Sequence, residues 1–370
     1  MDASTQETAA KPVIAILTVD DDHLMFRGNR DNFIDILRTG KELGYLVYVV
    51  TVKDLKLNMA KVTGYTYYNE SNQWVQQWLP APHVIYNRIP LREDEIEPAV
   101  QSKIAECLAN PKIKLYNPYF FNKWQLFEWL KKSKSTKPHI PNTHRLTGST
   151  ELGKQLLRHS YLYLKPESGK AGVGIMMVKY QPSRSLPFRL KIQDKKNSIT
   201  YKCSTLNKLW TRIKKEAGQN QYIVQQGIEL ASIQRRPFDL RVLIQKNRRG
   251  QWEVSGIGAR MAGSLSITTH VPRGGSIEDP EKLLISAFGQ VPTRRILSRA
   301  RSTSLTIARQ LERGSGFQLG EMSMDLGVDA QGHVWFFEAN SKPMKFDEPH
   351  IRKRSIERIF QYSTFLVQQA

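Results

Sequence analysis

Cysteine is nearly absent: the chain has two, Cys107 and Cys203, and eight scattered histidines. Two cysteines cannot build a disulfide framework or a four-cysteine zinc site. They point to a reducing compartment, so a cytoplasmic location is the expectation. No HExxH pattern occurs, and a histidine-based metal centre is not expected. No apolar run approaches the roughly 18–20 residues of a membrane span. The segment MDASTQETAAKP has no apolar stretch of the secretory kind and reads as a disordered lead over 1–12. Neither GxxxxGK[ST] nor a Rossmann GxGxxG opening a helix is found. No interleaving of basic and aromatic residues marks a nucleic-acid module, so no specific nucleic-acid partner is expected.

Charge is plentiful and uneven. The 370 residues carry 55 Lys and Arg against 34 Asp and Glu, a net of +21. Residues 1–110 contribute −4 and residues 111–370 contribute +25. The basic part is either a solvated surface or an attractor of polyanions: nucleotide, acidic peptide or anionic surface. Forty per cent hydrophobic residues suffice for buried cores, and the length predicts more than one domain.

Apolar runs at 13–19 and 45–52 read as buried parallel strands, with a helix ending at Gly44 between them. A third run, HVIYNRI, precedes a helix expected to bury Ile96, Val100, Ile104 and Leu108. These elements predict a small α/β domain over 13–114. The remainder, 115–370, divides into 115–230 and 231–370. Phe120–Leu130 reads as helix, and 160–230 as short strands around a helix near 206–217. Two strands over 237–260, a helix over 293–314, a hairpin over 322–340 and a last helix over 350–369 follow.

Four segments carry chemistry. In GEMSMDLGVDAQGHVWFFEANSKP the turn Asp329–Gly332 joins two strand-like runs. An even loop would pair Val328 with His333 and Asp325 with Phe336, placing Phe336, Glu338 and Asn340 on the face of Asp325. Two carboxylates and an amide oxygen suit Mg²⁺. The bland alternative is a hairpin with a polar face. In YLKPESGKAGVGI, Gly169, Gly172 and Gly174 with Lys170 make a loop able to close over phosphates, and Lys165 precedes it on a strand. It reads equally as a glycine-rich hairpin turn. In YIVQQGIEL, backbone groups at the strand end could meet an adenine edge, with Glu229 on a ribose hydroxyl. In RPFDLR, Asp239 and Arg241 share a strand face. Arg241 and Arg260 there would neutralise a transferring phosphoryl group, or make surface ion pairs of little value.

In this order the segments resemble the ATP-grasp superfamily over roughly 115–343. Lys123 in NKWQLFEWL and the Ile140-Pro141-Asn142-Thr143 element precede the Lys165 strand. The DxR strand, the Gly274-Gly275 element and D-x₁₂-E-x-N then follow. With ILTVDDDHLMFRGNRDNF, YNRIPLRE and EANSKP, the whole chain resembles the YheC/YheD endospore coat-associated family. The resemblance implies an α/β pre-ATP-grasp domain followed by an ATP-grasp domain of two α+β subdomains.

It also implies ATP and one or two Mg²⁺ as cofactors. Lys123 and Lys165 would contact the α- and β-phosphates, and Ser168, Gly169, Lys170, Gly172 and Gly174 would lie in the closing loop. Gln225, Gln226, Gly227 and Ile228 would meet adenine, with Glu229 near the ribose. Arg241 and Arg260 would face the γ-phosphate and an acylphosphate, and Asp325, Glu338 and Asn340 would hold Mg²⁺. The implied activity is carboxylate–amine ligation on a carboxylate and an amine, a peptide or acidic polymer among the candidates. A homodimer and a spore-coat association are further expectations. The alternative is a non-catalytic nucleotide-binding coat or assembly protein. His270 stands where related peptide ligases often carry Asn, Gln225-Gln226 replaces common acidic residues, and 181–204 has no assigned role.

Overall fold

A computed structural model describes residues 11–169, 172–194, 197–264, 266–269, 271 and 274–369. The chain begins β1 (Ile14–Thr18), β2 (Asp20–Asp21), β3 (Met25–Phe26), α1 (Arg30–Glu42) and β4 (Val47–Thr51). It continues β5 (Lys61–Tyr68), β6 (Gln73–Pro80), β7 (Val84–Asn87), α2 (Arg92–Glu95), α3 (Pro98–Ala109) and β8 (Lys114–Tyr116). The first sheet has the order β6-β5-β4-β1-β7-β8. Its β4, β1, β7 and β8 are parallel, and every residue of β1, β4 and β7 is buried, as strands covered on both faces require.

The hairpin β5–β6 extends this sheet antiparallel and was not foreseen from the sequence. The expected helix over Ile96–Leu108 is divided. Ile96 ends α2 and is 72% exposed, Leu108 is 41% exposed, and the buried face of α3 is Val100, Ile104 and Cys107. Pro98 accounts for the break, since it starts a helix readily but cannot continue one.

Next come α4 (Lys123–Lys131), β9 (Thr143–Arg145), α5 (Ser149–Arg158), β10 (Tyr161–Pro166), β11 (Met176–Tyr180), β12 (Phe188–Asp194), β13 (Asn197–Cys203), α6 (Leu206–Ala217) and β14 (Tyr222–Gln226). The second sheet is antiparallel, in the order β13-β12-β11-β10-β14-β9. Helices α5 and α6 bury Leu152, Leu156, Leu209 and Ile213 in one core with its strands.

The third unit holds β15 (Ser232–Ile233), β16 (Arg236–Lys246), β17 (Trp252–Met261), β18 (Ser276–Glu278), α7 (Pro280–Phe288), α8 (Gln290–Ser315), β19 (Glu321–Val328) and β20 (Val334–Asn340). Its sheet runs β18-β17-β16-β19-β20. Helix α8 buries Ile296, Ala300, Ile307 and Leu311 among Leu240, Val242, Met324, Leu326 and Phe336. One face of this sheet is thereby filled, and the residues that alternate with those strand positions point the other way.

Helix α9 (Pro349–Gln368) returns to the first unit, where Ile356, Ile359 and Phe360 pack with Ile14, Ile16 and Phe33. A buried polar network also ties the units. Glu321 accepts from Tyr86 at 2.7 Å and Gln245 at 3.1 Å, and pairs with Arg88 at 3.3 Å.

Candidate active site

The site lies on the face of the third sheet opposite α8, beside the part of that face on which Phe346 and Ile351 of the α9 end pack against Leu243. Arg241 on β16 stands opposite Asp325 on β19, which stands opposite Glu338 on β20. Asn340, two residues on, is opposite Ser323. Asp239 and Arg260 are opposite each other on β16 and β17. Asp325, Glu338, Asn340, Arg241 and Arg260 all line one cavity of about 810 Å³.

The expected pairing of Asp325 with Phe336 is not formed. The loop 329–333 has five residues, so Val328 pairs with Val334 and Leu326 with Phe336. A bulge at Phe337 then brings Asp325 opposite Glu338. Phe336 accordingly faces the core, fully buried against Phe127, and does not share the face of Glu338.

The buried guanidinium of Arg260 forks onto Asp239, with Nε to Oδ1 at 3.0 Å and Nη2 to Oδ2 at 2.8 Å. Its Nη2 also lies 2.9 Å from Asp325 Oδ2. Burial alone would lower the Arg260 pKa, but the two carboxylates outweigh it and raise the value. Arg241 is half-buried, makes no ion pair among the described residues, and lies over the Phe346 ring at 5.2 Å.

Lysines approach from the second unit. Asn122 caps α4 by accepting from Gln125 N–H, which fixes Lys123 in the first helical position. Lys123 Nζ then reaches Glu338 Oε1 at 2.9 Å and the Gly169 carbonyl at 2.9 Å. Lys165 on β10 donates to Gln225 Oε1 at 2.7 Å and lies 5.4 Å from the Phe337 ring. Burial pushes the Lys165 ammonium down to about 8, against Glu338 and with the help of Lys123. Gln225 is buried and donates to Thr143 Oγ1 at 3.0 Å, so its side chain orients Lys165.

The glycine loop sits on these groups. Gly172 and Gly174 have φ of +71° and +73°, a region other residues rarely adopt. A Cβ on Gly174 would lie 2.9 Å from the Tyr222 hydroxyl. Between Gly169, Gly172, Lys123 and Glu338 only about 10 Å³ is open, room for about one water. Ser168 is exposed beside it. Lys170 and His270 lie outside the described residues.

In the segment after β14, Gln226 N–H donates to Asn142 O and Gly227 N–H to Tyr161 O, while Ile228 O accepts from the Tyr161 hydroxyl. Those backbone groups are therefore engaged within the protein, and Glu229 is exposed.

Among the described residues no three His, Cys, Asp or Glu side chains cluster as metal ligands. The donor set of Asp325, Glu338 and Asn340 is two carboxylates and an amide on one face of the β19–β20 pair. Its oxygen chemistry fits Mg²⁺. Both carboxylates already pair with cations, Asp325 with Arg260 and Glu338 with Lys123, and a bound Mg²⁺ would share them with those groups.

Three contributions were missed. Asp239 anchors Arg260, although its shared face with Arg241 was legible. Phe337 is the bulge residue, and its packing under Lys165 has no local sequence signature. Lys342 is buried against Glu95 at 2.6 Å, its ammonium pushed down to about 8 by burial, and it lines the large cavity with Arg27 and Arg88 from the first unit. Only the tertiary fold brings those together.

A YheC/D-like ATP-grasp family model matches residues 112–366. The chain belongs to that family. Endospore coat-associated protein YheD of Bacillus subtilis is 29% identical over 373 residues, covering 97% of this chain and 80% of that protein. D-alanyl-alanine synthetase A of Vibrio cholerae superposes with a TM-score of 0.53 at 15% identity, covering 97% of each chain. VanG D-Ala:D-Ser ligase of Enterococcus faecalis gives 0.53 at 10% identity, covering 96% of this chain and 100% of that one. These likenesses show the ATP-grasp fold for this family member. Among its described residues no helix is long and apolar enough to cross a membrane.

Proposed function

We propose that this YheC/D-like protein is an ATP- and Mg²⁺-dependent carboxylate–amine ligase. One observation carries the reading: Asp325 and Glu338 are brought opposite each other on the sheet face that lines the large cavity, with Lys123, Lys165 and the glycine loop against them. Lys123 and Lys165 would hold the phosphates of ATP, with Ser168, Gly169, Gly172 and Gly174 over them. Asp325, Glu338 and Asn340 would hold Mg²⁺, which supplies charge neutralisation at the phosphates when bound.

The Arg241 guanidinium, exposed to the large cavity, would orient the γ-phosphate and the acylphosphate formed from it. A substrate carboxylate oxygen attacks the γ-phosphorus, and ADP leaves. An amine nitrogen then attacks the acyl carbon, phosphate leaves, and a proton passes to solvent. Positioning and charge neutralisation carry the first step, with no covalent enzyme intermediate. Arg260 acts through Asp239 and Asp325 by fixing their geometry.

The test is a screen of amino acids and peptides for ADP release, with hydroxylamine present as the amine. A hydroxamate formed with one ADP per turnover supports the ligase. ADP release without any hydroxamate contradicts the acylphosphate.

A second reading is a nucleotide-binding coat or assembly protein without ligase activity, resident in the cytoplasm or at the spore coat. The name of the Bacillus subtilis relative favours it. MgATP binding with no acyl transfer to any acceptor would select it. A homodimer is compatible with either reading, and sedimentation of the full chain tests it.

A further inference from the structure

Helix α8 presents six exposed arginines: Arg294, Arg295, Arg299, Arg301, Arg309 and Arg313. None of them makes an ion pair among the described residues, and the helix has one acidic residue, Glu312, drawn inward to Lys246 and Trp252. At 1.5 Å rise per residue the arginines span about 28 Å. The loop after α4, a helix that packs on α8, adds exposed Lys132, Lys134 and Lys137. Like charges crowded this way repel one another, so the face gains energy only when an anion is brought to it.

We propose that the solvent face of α8 docks an extended acidic segment of a partner polypeptide. Guanidinium forks pair with carboxylates in bidentate geometry, and the helix is held rigid by its buried Ile296, Ala300, Ile307 and Leu311, so little order is lost on binding. An extended chain of roughly eight or nine residues covers the same length.

The alternatives fit less well. Helix α8 contains no aromatic residue on which a base could stack. Its large apolar side chains are turned inward apart from Val291, leaving little to insert into a lipid surface. The face is on the back of the sheet from Asp325 and Glu338, so it stands independently of the ligase reading.

The experiment is fluorescence anisotropy of a labelled deca-glutamate peptide with the full chain at low salt. One variant combines R294Q, R299Q, R301Q and R309Q. A charge-matched control combines K208Q, K214Q, K215Q and R248Q, all at exposed positions elsewhere. The expected result is at least tenfold weaker binding in the α8 variant and less than twofold change in the control. Equal losses in both would reduce the effect to net charge and overturn the proposal. It is also overturned if duplex DNA or phosphatidylserine vesicles lose binding in the α8 variant while the peptide does not bind at all.

Discussion

Asp325 and Glu338 stand opposite each other on neighbouring strands because two irregularities combine. The five-residue loop shifts the pairing by one, and the bulge at Phe337 shifts it by one more in the same direction, so the parity of the faces is kept. The extra residue is not idle. Phe337 packs so close to Gly327 that a Cβ there would lie 2.3 Å from its ring, and the ring in turn lies under Lys165. Gly327→Ala should push Phe337 toward the cleft, cost about 1–3 kcal/mol of stability, and weaken MgATP binding. Calorimetric titration with MgATP measures the second effect, and unchanged affinity would separate Phe337 from the nucleotide.

Arg260 is buried with both of its carboxylate partners. Removing one partner leaves buried charge without its full complement. Asp239→Ala should therefore lower stability by roughly 3–5 kcal/mol, read from the urea midpoint at constant slope. A shift under 1 kcal/mol would mean that Asp325 alone satisfies the guanidinium.

Asn117, at φ +56°, holds the start of β19 to the end of β20. Its amide donates to Glu321 O at 2.6 Å and to Ser341 O, and its carbonyl accepts from Gly320 N–H at 2.6 Å. Asn117→Ala would strand these buried backbone groups and should cost roughly 2–4 kcal/mol. Because Ser341 follows Asn340, MgATP affinity should fall as well. Thermal melts with and without ligand separate the two losses.

The depressed Lys165 pKa gives a signed pH dependence. Between about 8 and the ordinary lysine value of 10.5, the folded protein binds fewer protons than the unfolded chain. This group's contribution to stability therefore rises with pH through that window. Phosphates beside Lys165 would pull its proton back on. MgATP binding near pH 8.5 should take up protons, shown by binding heats that vary with buffer ionisation enthalpy. Lys165→Arg, charged throughout, should abolish that uptake. Equal uptake in the variant would move the effect elsewhere, with Lys342 the next group to examine.

The sheets were legible where periodicity is strong. Buried runs at β1, β4 and β7 read as parallel strands, and the β16–β17 and β19–β20 pairs stand where alternation placed them. The pre-ATP-grasp and ATP-grasp elements follow the expected order, and Asp325, Glu338 and Asn340 share a face as expected. The reason given for that sharing was wrong, since pairing parity depends on loop length and bulges that residue types do not encode. The β5–β6 hairpin escaped notice because its Gln- and Tyr-rich strands alternate weakly. The large cavity was invisible for a different reason: Arg27 and Arg88 reach Lys342 and Asn340 only through tertiary packing.

The most direct test of the nucleotide site is the melting temperature of wild type and Glu338→Gln, each with and without MgATP. Ligand at about 100 times its Kd adds roughly 2.7 kcal/mol, enough to raise Tm by a degree or more. The account predicts a magnesium-dependent rise in wild type that is lost or much reduced in the variant. No rise at millimolar MgATP, or an equal rise in both proteins, would contradict the placement of phosphate and metal at Asp325, Glu338 and Lys123.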